Sequence, residues 1–272
     1  MVSLSIFLPF SAKITNLPAE LPSTDMLRHL FLWVPISLLW VPISLCAAVT
    51  GWADLSPIQE DRVAIARQRV TPILVQRFAA AGLSYPVSSI FFRVHKLERE
   101  FELWARNDND GSYRLVQIYP ILGASGRLGP KRREGDRQVP EGFYQIDRLN
   151  PNSEFHLSLR INYPNAADQK KSDPVAPGSD IYVHGGQRSA GCLALGDDAI
   201  EEVYVVAQAA TPPVPISIFP ARMLDSAWPD QAESSPDQVD FWNTLRPGYR
   251  FFSEHRQLPI ISVDEEGNYL CH

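Results

Sequence analysis

The spacing of apolar residues changes from helical to alternating near Ser89, and that change restricts the chain to a sheet with helices laid on it. Before it, Val63, Ala66, Val70 and Leu74 recur every three or four positions, which predicts an amphipathic helix over 58–81, bent at Pro72. After it, Phe101, Leu103 and Ala105 alternate with Glu100, Glu102 and Trp104, and Asn107-Asp108-Asn109-Asp110-Gly111 marks a hairpin turn. Further strands are expected at 113–121, 142–148 and 155–163, the last with Phe155, Leu157, Leu159 and Ile161 on one face and His156, Ser158, Arg160 and Asn162 on the other. Segments 180–184 and 214–219 complete the strand pattern. Between them Asp197 or Asp198 can cap a helix over 199–210, whose Ile200, Val203, Tyr204 and Ala207 form an apolar stripe. A tail opening at Ser235-Pro236 presents Phe241, Trp242, Leu245 and Phe252 at helical spacing and reads as two helices broken near Pro247-Gly248.

The chain divides into three parts. Residues 1–48 read as an extension followed by a targeting segment: Met26-Leu27-Arg28-His29 is a short basic start, positions 30–45 are nearly all apolar, and Cys46-Ala47-Ala48 suits cleavage. The apolar run contains a tandem copy, Leu32 to Leu38 repeated as Leu39 to Leu45, and its Pro35 and Pro42 disfavour a straight membrane-spanning helix. Export to a periplasm is expected, with an uncleaved inner-membrane anchor or lipidation at Cys46 as alternatives. Residues 57–225 form the main domain with its leading helix, and 226–272 the tail, joined by an acidic, Pro- and Ser-rich linker at 225–237.

The formal charge of -6 survives removal of residues 1–48, because Glu20 and Asp25 there balance Lys13 and Arg28; such a chain gives no support to nucleic-acid binding. Lys131-Arg132-Arg133 is the tightest basic cluster and reads as a solvated turn. The six histidines form no HExxH or comparable pair, so no metal is expected, and the terminal Cys271-His272 reads as a disordered end with a free thiol.

Most chemistry concentrates in Tyr182-Val183-His184-Gly185-Gly186-Gln187-Arg188-Ser189-Ala190-Gly191-Cys192-Leu193. A cysteine attacks as thiolate, so it needs a base and N–H groups to hold the oxyanion its attack creates. His184 is placed to be the base, the N–H groups of Gly191 and Cys192 to hold the oxyanion, and Ser189 either to orient a partner or to stabilise the turn. Gly185, Gly186 and Gly191 permit close backbone approach, and the following helix would modestly favour the Cys192 thiolate. A papain-like arrangement is excluded by order, since there the histidine follows the cysteine at a distance.

The segment resembles the HGxxx(S/T)xGC signature of the YkuD-type L,D-transpeptidases, in the compact form of their YafK-like branch. Similar blocks run in the family's order over about residues 57–263, among them Gly129-Pro130-Lys131, Pro140-Glu141-Gly142-Phe143-Tyr144, Asn162-Tyr163-Pro164-Asn165-Ala166 and Ile218-Phe219-Pro220-Ala221-Arg222-Met223. The wider family carries a histidine two positions before the cysteine and an arginine two after it, where this chain has Ala190 and Ala194. The resemblance implies an α+β, β-rich L,D-transpeptidase-like catalytic domain with flanking helices. It implies cysteine acyl transfer on diaminopimelate amides of peptidoglycan stem peptides through a thioester, without a cofactor. An amidase releasing lipoprotein covalently attached to peptidoglycan is the alternative within the family, and a non-catalytic wall-binding protein the alternative outside it. Arg188, Tyr163 and Asn165, with Gly185 and Gly186, are candidates to bind the stem peptide.

Overall fold

A computed structural model describes residues 61–224, Trp228 and residues 235–272. The targeting segment, and linker residues 225–234 apart from Trp228, lie outside the described residues. Helix α1 (Arg62–Ala80) starts at Asp61, whose carboxylate accepts the N–H groups of Val63 and Ala64, and buries Val63, Ala66, Val70, Leu74 and Phe78. Strands β1 (Ser89–His95), β2 (Glu100–Arg106) and β3 (Arg114–Pro120) form an antiparallel meander. They are followed by β4 (Gly142–Ser153), β5 (His156–Ile161), the short helix α2 (Ala166–Lys171), β6 (Ile181–His184) and the two-residue β7 (Leu193–Ala194). Helix α3 (Asp197–Ala209) leads into β8 (Val214–Phe219).

These eight strands form one mixed sheet in the order β3-β2-β1-β8-β4-β5-β6-β7. The pairs β1/β8 and β6/β7 are parallel, and the others antiparallel. Helices α1 and α3 pack together over one face, closing a core that includes Phe92, Phe101, Leu157, Leu159, Ile161 and Val183. The alternation read from β2 is correct, but its polar face is not left to water. A single helix, α4 (Val239–His255), entered through a 3-10 turn at Pro236–Gln238, places Tyr249 and Phe252 at that second face. There Arg93 donates to Glu102 at 2.7 Å, Trp104 Nε1 donates to the same carboxylate at 2.6 Å, and the guanidinium lies over the rings of Trp104, Tyr249 and Phe252. The charges are tolerated in the interior because each is paired.

The tail corrects two expectations. The helix does not break at Pro247-Gly248: Pro247 is exposed, while Gly248 is buried where an added Cβ would lie 2.7 Å from Phe143 Cζ. The glycine therefore permits close packing of helix on strand. The terminus is ordered as well, because β10 (Tyr269–Cys271) pairs antiparallel with β9 (Ile261–Val263) and Tyr269 packs edge-on against Phe143. Among the described residues no helix is long and apolar enough to cross a membrane.

Candidate active site

Strand β6 carries His184 between β5 and the edge strand β7, to which the chain loops back, so two parallel strands hold the ends of the motif together: Val183 faces Leu193 and His184 faces Ala194. The loop between them folds through left-handed Gly186 (φ +67) and Gly191 (φ +97). Gly185 is required by space, since a Cβ there would meet Asp197 Oδ1 and the Phe155 carbonyl, each at 2.6 Å. The expected capping role of Asp197 or Asp198 is replaced. Helix α3 begins after Gly196 with no side-chain cap, and Asp197 Oδ1 instead accepts the Gly186 N–H at 2.8 Å, tying the motif to the helix.

His184, Arg188, Ser189 and Cys192 line one cavity of about 680 Å³, together with Ala190, Tyr182, Ser158, Asn150, Asn152 and Ser153 at the end of β4, and Glu154 and Phe155 in the turn to β5. His184 is buried and its Nδ1 lies 2.6 Å from the Gly185 carbonyl. A carbonyl only accepts, so Nδ1 carries the hydrogen and the Nε2 lone pair remains for use as a base. The Phe155 ring packs on the imidazole at 4.6 Å between centroids. Burial holds the imidazole below its ordinary value of 6.5, partly offset by the Gly185 carbonyl.

The Cys192 thiol accepts the Tyr182 N–H at 3.4 Å and donates to the Asp180 carbonyl at 3.8 Å. Burial pushes it above its ordinary value of 9.0, against the opposing pull of the Tyr182 N–H and Lys131. Both shifts run against a thiolate–imidazolium pair at rest. Cys192 and Cys271 are both free.

Ser189 stabilises the turn: its Oγ accepts the Cys192 N–H at 2.9 Å. The Gly191 N–H is likewise occupied, donating to Ser125 Oγ at 2.7 Å. The sequence reading missed Ser125, which lies 66 positions from Gly191 and carries no local signal. It also missed the β4–β5 turn and Ser158, whose polar strand face is buried into the cavity wall.

Tyr163 and Asn165 are not brought to this cavity. Tyr163 is buried and donates to the Pro177 carbonyl at 2.9 Å. Asn165 caps α2 in a reciprocal capping box with Asp168, and its amide donates to the Phe143 carbonyl and to Tyr269 Oη. Asn165→Ala is expected to lower stability by about 1–2 kcal/mol through the lost cap, read by denaturant unfolding, and to leave the rate at which iodoacetamide alkylates Cys192 unchanged. The basic cluster is also not a solvated turn. Lys131 is buried on Asp136 at 2.7 Å, and Asp136 also accepts the N–H groups of Arg132, Arg133 and Gln138.

One group of side chains that the sequence did not flag, His95, Glu100 and Glu102, lies close enough to share a cation. Arg93 already pairs with Glu102 and Arg222 with Glu100, which compensates both carboxylates without a metal.

The L,D-transpeptidase catalytic domain model (YkuD) matches residues 92–216. The Escherichia coli (strain K12) protein YafK, whose L,D-transpeptidase name is itself provisional, is 35% identical over 182 residues, covering 65% of this chain and 71% of its own. Among solved structures, the helical cell shape determining protein Pgp2 from Campylobacter jejuni is 17% identical with a TM-score of 0.42, over 66% of this chain and 74% of its own.

Proposed function

The chain belongs to the L,D-transpeptidase (YkuD) family, and on that premise we propose that it is a cysteine acyl-transfer enzyme acting on diaminopimelate amides of peptidoglycan stem peptides. The observation that carries this reading is the shared cavity, which Cys192 and His184 both line while the Gly185 carbonyl holds His184 Nδ1 and leaves Nε2 to serve as base. Cys192 Sγ attacks the amide carbonyl carbon while His184 Nε2 takes the thiol proton. The carbonyl oxygen becomes an oxyanion held by the N–H groups of Gly191 and Cys192, displacing the serine hydroxyls that occupy them at rest. His184 returns the proton to the leaving amine as the C–N bond breaks, which leaves a thioester. An acceptor amine or water then attacks the thioester, gives its proton to His184, and frees the thiol. Exposed Arg188 at the cavity wall supplies a planar guanidinium for a stem-peptide carboxylate.

A second reading, hydrolysis that releases peptidoglycan-linked lipoprotein, is favoured by Ala190. On the cavity wall it leaves open to water the space that a histidine would fill. The missing arginine has a steric basis: Ala194 is fully buried and its Cβ lies 3.3 Å from the position of a Cβ built on Gly123, so a long side chain has no room. The apolar run at 30–45 followed by small residues supports export to the periplasm, where this substrate is found. Protein lacking residues 1–48 should convert isolated peptidoglycan, with and without attached lipoprotein, to new diaminopimelate cross-links or to released lipoprotein peptide, separated by mass spectrometry. Neither product with either substrate would contradict acyl transfer and leave wall binding without catalysis.

A further inference from the structure

The two N–H groups assigned to the oxyanion are held by hydroxyls from different places. Ser189 belongs to the motif itself, whereas Ser125 reaches in from the segment between β3 and β4. Its Oγ accepts the Gly191 N–H at 2.7 Å and donates to the Arg137 carbonyl at 2.7 Å. The peptide it grips is the one most free to turn. Gly191 sits at φ +97, and a Cβ built there would lie 3.4 Å from the Gln138 carbonyl oxygen, so the residue rests against the Arg137-Gln138 backbone. The same segment presses on the other end of the loop, where a Cβ at Gly123 would lie 2.3 Å from the Gln187 carbonyl and Gly123 bridges to Ala194. The Arg137-Gln138 anchor is itself fixed, because Asp136 accepts the Gln138 N–H at 3.0 Å and pairs with buried Lys131.

We propose that Ser125 is a positioning residue for acyl transfer: its hydroxyl fixes the Gly191 peptide with the N–H aimed where the carbonyl oxygen gains charge, and yields that N–H to the oxyanion. This rests on the acyl-transfer reading above. A donor turned the right way before the reaction needs no peptide rotation when charge develops, only the exchange of the hydroxyl for the oxyanion as acceptor, whereas a glycine peptide without its tether samples other orientations. No atom of Ser125 enters a bond with substrate, so its loss acts only on steps that create an oxyanion.

Two probes of Cys192 separate this from a general loosening of the loop. Iodoacetamide alkylates sulfur by displacement at a tetrahedral carbon and forms no oxyanion, whereas p-nitrophenyl acetate acylates it through one. In protein lacking residues 1–48, Ser125→Ala is expected to slow acylation roughly 10- to 100-fold, part of the loss seen when an oxyanion donor is removed outright. Alkylation should stay within about two-fold, as expected where the thiol's own surroundings are unchanged. Ser125→Thr, which keeps the hydroxyl, should restore acylation, and thermal unfolding of each variant reports folding. Equal slowing of both probes, or acylation that is unchanged or faster in Ser125→Ala, would overturn the positioning role. Absence of an acetyl adduct at Cys192 in the unsubstituted protein would overturn the acyl-transfer reading itself, and Ser125's role with it.

Discussion

Cys192→Ala is expected to reduce turnover of peptidoglycan substrate by roughly four to six orders of magnitude, to the uncatalysed background, as removal of a covalent nucleophile does elsewhere. Ser158 and Ser189 also line the cavity, but Ser189 Oγ is engaged by the Cys192 N–H. Neither can replace a thiol whose proton His184 accepts, because a serine hydroxyl is far less acidic. The substitution removes few atoms at a partly exposed position, so the fold should be retained. Cys271→Ser is the internal control: that thiol lies in β10 and lines a different cavity with His255 and His272. Turnover should be unchanged in that variant. Measurable turnover by Cys192→Ala at the rate of the unsubstituted protein would end the covalent mechanism.

His184→Ala should cost roughly 10²- to 10⁴-fold in kcat/KM, the range of a general base. The size of the effect follows from the resting protonation states. A thiol held above its ordinary value and an imidazole held below its own both disfavour proton exchange before substrate arrives, so the base is expected to act during attack. The sign of the pH dependence follows too. Neutral His184 is the working form, its pKa is lowered, and activity is therefore retained at pH 6.5 and lost only as pH falls further. In His184→Ala this acidic limb should vanish, and the residual rate should climb with alkaline ionisation of the thiol. An acidic midpoint above 6.5 in the unsubstituted enzyme would contradict a lowered imidazole, and loss of activity on the alkaline side, as an imidazolium gives up its proton, would show a preformed thiolate–imidazolium pair instead.

The sheet and its two covering helices were legible because their signals are local. The stripe Val63, Ala66, Val70 and Leu74 and the alternation in β2 and β5 each specify one buried face, and those faces are buried. The same was true of the motif, where a short loop between paired strands makes nearness in sequence equal to nearness in space. What failed depended on distant partners. Asn165 and Tyr163 offered polar groups in a family-like block, but β10 and Pro177 claim them. The Lys131 cluster looked solvated because its partner, Asp136, gains its carboxylate role only when the loop closes around it. Pro247-Gly248 was read as a break although a proline on the solvent side is compatible with a helix that Phe143 holds from beneath. Ser125 had no signal at all, since only the folded chain brings it to Gly191.

The central claim is that a stem peptide becomes bonded to Cys192 sulfur. It is tested most directly by intact-protein mass spectrometry after rapid acid quench of the enzyme with a purified diaminopimelate-containing stem tetrapeptide, followed by peptide mapping. The account predicts an adduct equal to the acyl portion of the peptide, confined to the peptide containing Cys192, released by hydroxylamine as a thioester is, and absent from Cys192→Ala. Substrate consumed with no adduct at any quench time in His184→Ala or the unsubstituted enzyme, or an adduct carried by any other residue, would contradict it.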